Sequence, residues 1–342
     1  MKKLFTILAV AATLVSCAKE DVVREAAREA IGFDNAFVEN STRSVNDPSF
    51  SSAEGGKMFT DFAVFGFVEG DSLFEEGYER VAKGIENEKL TSEWKYASTQ
   101  YWIAGANYNF NAVAPLTGGG WAKTAADATS TTLSFINNGT TDLLYAFATA
   151  QGKAEKNDPV AFTFRHTLSK VKFSFENAYN ATNATIKVRD VKITDAYATG
   201  NVVLTDDTAW NTQSGKLELS FGNAVADGAT STDAPAFEYT TTLESYNELF
   251  MIPGNGPATV SVDGEDKKCY TVTFLVDLLV GGEKVKEYTH TINAVFAPVA
   301  GNSYDLKATI NAENIDPNHA QEPIEFTVNT LPGWGTTNDQ NI

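Results

Sequence analysis

The chain has 342 residues, with 26 Lys and Arg against 44 Asp and Glu, and a formal net charge of −18. That excess of acid excludes a nucleic-acid binder, which needs cations to neutralise phosphates, and it disfavours docking on an anionic lipid surface. With 2 Cys and 3 His there is little material for a disulfide scaffold, a metal centre or an acid–base site, while 43% hydrophobic residues and the length suit a globular chain of about two domains.

The first predicted element is not part of the fold. Residues 1–17 read MKKLFTILAVAATLVSC. Lys2 and Lys3 precede an apolar run, Leu4 to Val15, which is too short to cross a bilayer core of ~30 Å. This is the pattern of an export signal. Its end, Leu14-Val15-Ser16-Cys17, resembles the lipobox of bacterial lipoproteins. In those proteins the Cys thiol is lipidated and the chain is cut just before it. The expectation is a signal peptide over 1–16 and a membrane partner bound through acyl chains on Cys17, each buried CH₂ contributing ~0.8 kcal/mol. The following Ala18-Lys19-Glu20-Asp21 resembles the surface-export signal of Bacteroidota lipoproteins. Lipidation of Cys17 leaves Cys269 alone, in a strand-like run, where it reads as a small buried hydrophobe rather than a reactive thiol.

Only Val22–Ile31 looks helical. Beyond it, short alternating or β-branched runs recur between Gly, Asn, Asp and Pro. The predicted strands in order are Phe59–Val68, Tyr108–Val113, Thr131–Ile136, Asp142–Thr149, Val160–Phe164, Leu168–Phe175 and Thr185–Ile193. Then come Lys216–Phe221, Phe237–Thr242, Leu249–Ile252, Tyr270–Leu279, Glu287–Ala294, Ser303–Ile310 and Ile324–Val328. Their spacing predicts antiparallel sandwiches with Greek-key connections. The polar stretch Gln151–Pro159 is the best break. It divides the chain into an N-terminal sandwich over 44–158 and a C-terminal one over 159–342, after a pro-segment over 17–43.

Several stretches, taken together and in order, resemble the fimbrillin family, the two-domain pilins and pilin-like lipoproteins of Bacteroidota surface fibres (type V pili). They are Ile31-Gly32-Phe33 leading to Thr42-Arg43-Ser44, then Trp94, Tyr101-Trp102 and Tyr108–Pro115. Next is Asp142–Ala146 followed by Phe162–Phe175 (FTFRHTLSKVKFSF). The last are Phe296–Ile310 (FAPVAGNSYDLKATI) and Ile324–Trp334 (IEFTVNTLPGW). The Leu331-Pro332-Gly333 insertion departs from the family pattern. The resemblance implies two tandem transthyretin-like β-sandwiches. It also implies export as a lipoprotein and a cut by an Arg- or Lys-specific surface protease that releases an N-terminal strand. The vacated groove then takes a strand from another copy or a related pilin. Main-chain hydrogen bonds give affinity and alternate side chains give register. A head-to-tail contact that does not close builds an open filament.

Carried onto this sequence, the protease site is Arg43 with Ser44 as the new N-terminus, in a polar stretch of the kind where proteolysis concentrates. Arg24 and Arg28 compete, but cuts there leave the strand attached. The releasable strand lies within residues 30–40. Ile31 and Phe33 share its inner face by the period of two, and Phe37 joins them only without a bulge. The donor is Ile324, Phe326 and Val328, unless that strand completes its own domain.

Other features read as structure. His166 lies between Phe164 and Leu168 and reads as a hydrogen-bonded histidine of the fold. Gly118-Gly119-Gly120 lacks the Lys-Ser/Thr of a phosphate loop, and Asp263–Asp266 lacks calcium-loop spacing. Trp94, Tyr101, Trp102 and Trp121 are core in one reading and a sugar-stacking platform in the other. Asp71-Ser72-Leu73 and Asp207-Thr208-Ala209 resemble Bacteroidota O-glycosylation sites. No cofactor and no catalytic constellation is expected. Two functions remain: a fibre subunit joined by strand exchange, or an anchored or tip adhesin that binds a glycan or host ligand.

Overall fold

The computed structural model describes residues 29–38, 60–86, 89–179, 183–205, 208–222, 244–245, 247–315 and 324–331. Those residues build an all-β chain of four sheets around three apolar cores.

The chain begins with β1 (Phe33–Val38) and β2 (Asp61–Val68), then β3 (Asp71–Ser72), β4 (Glu79–Glu86) and β5 (Lys89–Lys95). Next are β6 (Asn107–Ala114), β7 (Trp121–Ala126), β8 (Thr131–Ile136), β9 (Leu144–Gln151) and β10 (Val160–His166). One sheet runs β1-β10-β9-β6-β2-β4-β5, with β3 paired to β2. It rolls until its outermost strands, β1 and β5, approach one another. Asp61 to Phe67 of β2 are all buried, because both faces of this sheet are covered. The even-numbered Phe62 and Val64 face a core with Phe33, Phe110 and Phe162. The odd-numbered Ala63, Phe65 and Phe67 face a second core. A near-continuous apolar strand is the sequence trace of such two-sided burial.

The path then leaves. β11 (Ser169–Asn177) and β12 (Ala184–Ala196) enter other sheets, before β13 (Thr199–Leu204) and β14 (Ala209–Ser214) return. They complete the sheet β14-β13-β8-β7, which covers the odd-numbered face of β2 with Leu133, Phe135, Val202 and Leu204. β15 (Leu217–Gly222), β16 (Glu244–Ser245), β17 (Leu249–Met251), β18 (Ala258–Val262), β19 (Glu265–Val280) and β20 (Glu283–Ala294) follow. The chain closes with β21 (Ser303–Ile310), the short helix α1 (Ala312–Ile315) and β22 (Thr327–Leu331). The second sandwich packs β16-β11-β21-β22, with β17, against β15-β12-β19-β18, with β20.

This corrects the division at 158/159. That position falls between β9 and β10, which pair antiparallel in one sheet through Arg165↔Tyr145 and His166↔Leu144. Gln151–Pro159 is a polar connection inside the first sandwich, and β13–β14 return to it from beyond. The sandwiches are therefore interleaved rather than strictly consecutive. Residues 29–31 lie in extended backbone with one β-bridge at Ala30, not in a helix. Residues 22–28 of that expected helix, and the expected strand at 237–242, lie outside the described residues.

Asp61 fastens the start of β2. Its carboxylate accepts from the Thr117 amide at 3.1 Å and hydroxyl at 2.5 Å, and from Arg80 Nη2 at 2.7 Å and Nε at 3.0 Å. Burial pushes its pKa up, but the Thr117 bonds and Arg80 outweigh burial and hold it below the ordinary carboxylate value. A depressed folded pKa stabilises above the unfolded value and is lost as pH falls through the folded one. Melting curves in acid should therefore fall below about pH 4, and Asp61→Asn should blunt part of that fall. At neutral pH the same variant should cost about 1–3 kcal/mol, because it weakens bonds to a buried carboxylate.

Candidate strand-exchange site

The segment 29–38 is held along both edges. On one side β1 pairs parallel with β10, with Phe33↔Val160 and Asp34↔Ala161 in register, and the Val160 amide donates to the Gly32 carbonyl at 2.8 Å. On the other side the Ile31 amide donates to the Gln100 carbonyl at 2.8 Å, and the Trp102 amide to the Glu29 carbonyl at 2.9 Å. The Tyr96 hydroxyl donates to the Ile31 carbonyl at 2.7 Å. Two segments distant in sequence, 96–102 and 160–161, thus converge on Glu29, Ile31, Gly32, Phe33 and Asp34.

The side chains go inward. Ile31 is 2% exposed and Phe33 is 6% exposed. The Phe33 ring sits among Tyr96, Phe110 and Phe162 at centroid distances of 5.3, 5.9 and 5.9 Å. Edge-to-face and offset contacts of this kind add about 0.5–1.5 kcal/mol beyond area burial. Upstream, Glu29 Oε2 accepts from the Asn157 amide at 2.6 Å and from Asn157 Nδ2 at 3.1 Å. Asn157 is buried, and its Oδ1 accepts from the Lys153 amide at 2.7 Å. Glu29 therefore ties this segment to the 153–157 turn.

The period of two does not carry to Phe37. A bulge lies between Asp34 and Phe37, so Phe37 registers with Thr163 and Val38 with Phe164. Thr163 is exposed and Phe164 is buried. The extra residue moves Phe37 off the register that Phe33 begins.

Cys17, Arg43 and Ser44 lie outside the described residues. Ile324, Phe326 and Val328 sit in the second sandwich. Ile324 is 2% exposed, while Phe326 and Val328 are partly buried against the same core. β22 pairs antiparallel with β21, with Leu306↔Val328 and Lys307↔Thr327 in register. In this monomer the candidate donor strand is at home.

The features read as structure have plain settings. His166 Nδ1 lies 2.5 Å from Asp142 Oδ2, and both are buried. Cys269 is buried, and burial pushes its thiol pKa up. Asp263 and Gly264, both at positive φ, form the two-residue turn between β18 and β19. Trp102 packs on Tyr108 in the core, whereas Tyr101 beside it is 44% exposed. The Glu29–Asn157 contact escaped the sequence reading. Glu29 lies in the run that looked helical, and nothing local in sequence links it to Asn157.

Fold and groove together define an all-β double sandwich whose N-terminal strand inserts between non-neighbouring segments. The fimbrillin-like family model matches residues 42–330, and the chain belongs to that family. Membership carries a cell-surface location and a structural rather than a catalytic role. A fimbrial protein from Bacteroides vulgatus is similar in fold, with a TM-score of 0.55 at 18% identity over 89% of this chain and 99% of that one. A protein described as a cell adhesion protein from Bacteroides uniformis aligns at a TM-score of 0.47 and 15% identity, over 90% of this chain and 98% of that one. No curated protein matches the chain.

Proposed function

We propose that the chain is a structural subunit of a surface fimbria that supports cell adhesion. It is exported as a lipoprotein through Cys17, cut after Arg43, and polymerised by strand exchange in the outer membrane's surface layer. The observation that carries this reading is the way segment 29–38 is held. It supplies two buried apolar side chains and bonds on both edges, yet a single backbone cut downstream frees it. Removing it opens an apolar groove flanked by unpaired strand edges, which is a template for another strand. The partners are further copies or related pilins and an Arg- or Lys-specific protease.

N-terminal sequencing of protein sheared from cells tests this. A start at Ser44 is expected. A lipid-blocked Cys17 on the surface form overturns it. That result would support the second reading, a permanently anchored or tip adhesin for a glycan or host ligand. One observation favours that alternative: Ile324, Phe326 and Val328 already fill their own core.

A further inference from the structure

Residues 29–33 read Glu-Ala-Ile-Gly-Phe, and residues 322–326 read Glu-Pro-Ile-Glu-Phe. Both are Glu-x-Ile-x-Phe, running in the same chain direction. Resting on the strand-exchange reading, we propose that Asn157 and the Phe33 pocket form a register lock. The strand that replaces residues 29–33 is Glu322–Phe326 of a second copy, with Glu322 at the place of Glu29, Ile324 at Ile31 and Phe326 at Phe33.

The two differing positions fit the groove. Among the described residues no backbone bond in the groove uses the Ala30 amide. The bonds there run through the Glu29 and Gly32 carbonyls and the Ile31 amide and carbonyl. Pro323, which has no N–H, therefore forfeits nothing at that place. At Gly32 an added Cβ would meet its nearest neighbour, Pro159 Cβ, at 3.6 Å. That is ordinary contact, and Glu325 is accommodated.

The pockets are also alike. Phe33 sits among three rings at 5.3–5.9 Å. Phe326 sits among Phe173, Phe175 and Phe274 at 5.4, 6.0 and 6.1 Å. Ile31 and Ile324 are each 2% exposed. The apolar side of the transfer is thus nearly even, and the polar end decides register. Once residues 29–38 leave, the Asn157 amide loses its Glu29 acceptor, and Nδ2 keeps only a bond of 3.4 Å to the Lys153 carbonyl. A strand shifted by two residues sets Ile324 against them, and only the in-register strand supplies a carboxylate. Glu322 lies outside the described residues, and its place here rests on sequence spacing.

The test mixes two variants of the full chain after treatment with an Arg-specific protease. One carries Val160→Cys, and the other carries Ile324→Cys, Phe326→Cys or Val328→Cys. Val160 is the register partner of Phe33, so oxidation should link copies through position 326 at least tenfold more than through 324 or 328. Preferred linkage at 324 or 328 overturns the register while strand exchange stands. No linkage at any position, with no ladders, overturns exchange as well. Separately, Asn157→Ala and Glu322→Ala should each slow assembly about tenfold, the scale of a charged hydrogen bond, and the double variant should be no slower than either. Additive losses overturn the lock.

Discussion

Arg43→Ala should leave a lipidated monomer on the cell and remove SDS-resistant ladders down to background. The reason is topological. Ile31 and Phe33 lie upstream of Arg43, so only a cut beyond them frees the strand that fills the groove. Cleavage at Arg24 or Arg28 shortens the chain but leaves the two anchors in their pockets. Gel analysis of surface material without boiling reads the outcome. Unchanged ladders in Arg43→Ala would place processing elsewhere.

Phe33→Ala should destabilise the first sandwich of the uncut chain by about 3–5 kcal/mol, the cost of emptying a well-packed phenylalanine site. After cleavage and release the same substitution should cost nothing, because the residue has left. Denaturant unfolding of the two forms, side by side, measures both numbers. An equal loss before and after the cut would mean that the strand stays in place. The comparison separates a core residue from a core residue on loan.

Most strands buried on one or both faces were legible in the sequence, β13 being an exception that alternates in burial and was still missed. Thr131–Ile136 and Ser303–Ile310 match their predicted bounds to the residue, and the burial pattern of β10 alternates as its sequence does. The strands that escaped were β3, β4, β5, β7, β13, β14, β16 and β18. Several lie at sheet edges and carry polar residues on both faces. β7 (WAKTAA) and β14 (AWNTQS) have no fully buried side chain, so no hydrophobic period exists to find. The site was legible to the same degree. Ile31 and Phe33 were picked out by the family resemblance and set on one face by the period of two, but the bulge before Phe37 was not legible, because an inserted residue leaves no compositional mark. The boundary at 158/159 failed for a related reason. A polar, Pro-ended stretch looks the same whether it joins two domains or two strands of one sheet.

The interleaved path has a mechanical consequence. The backbone crosses between the sandwiches three times, from β10 to β11, from β12 to β13 and from β14 to β15. Beads joined by one linker would pass all tension through a single tether. Here three covalent passes lie side by side, and a pull along a fibre divides among them. The two halves of the subunit cannot be drawn apart until strands are stripped from both. In the proposed fibre the weak point under load is then not the middle of the subunit but the exchanged strand.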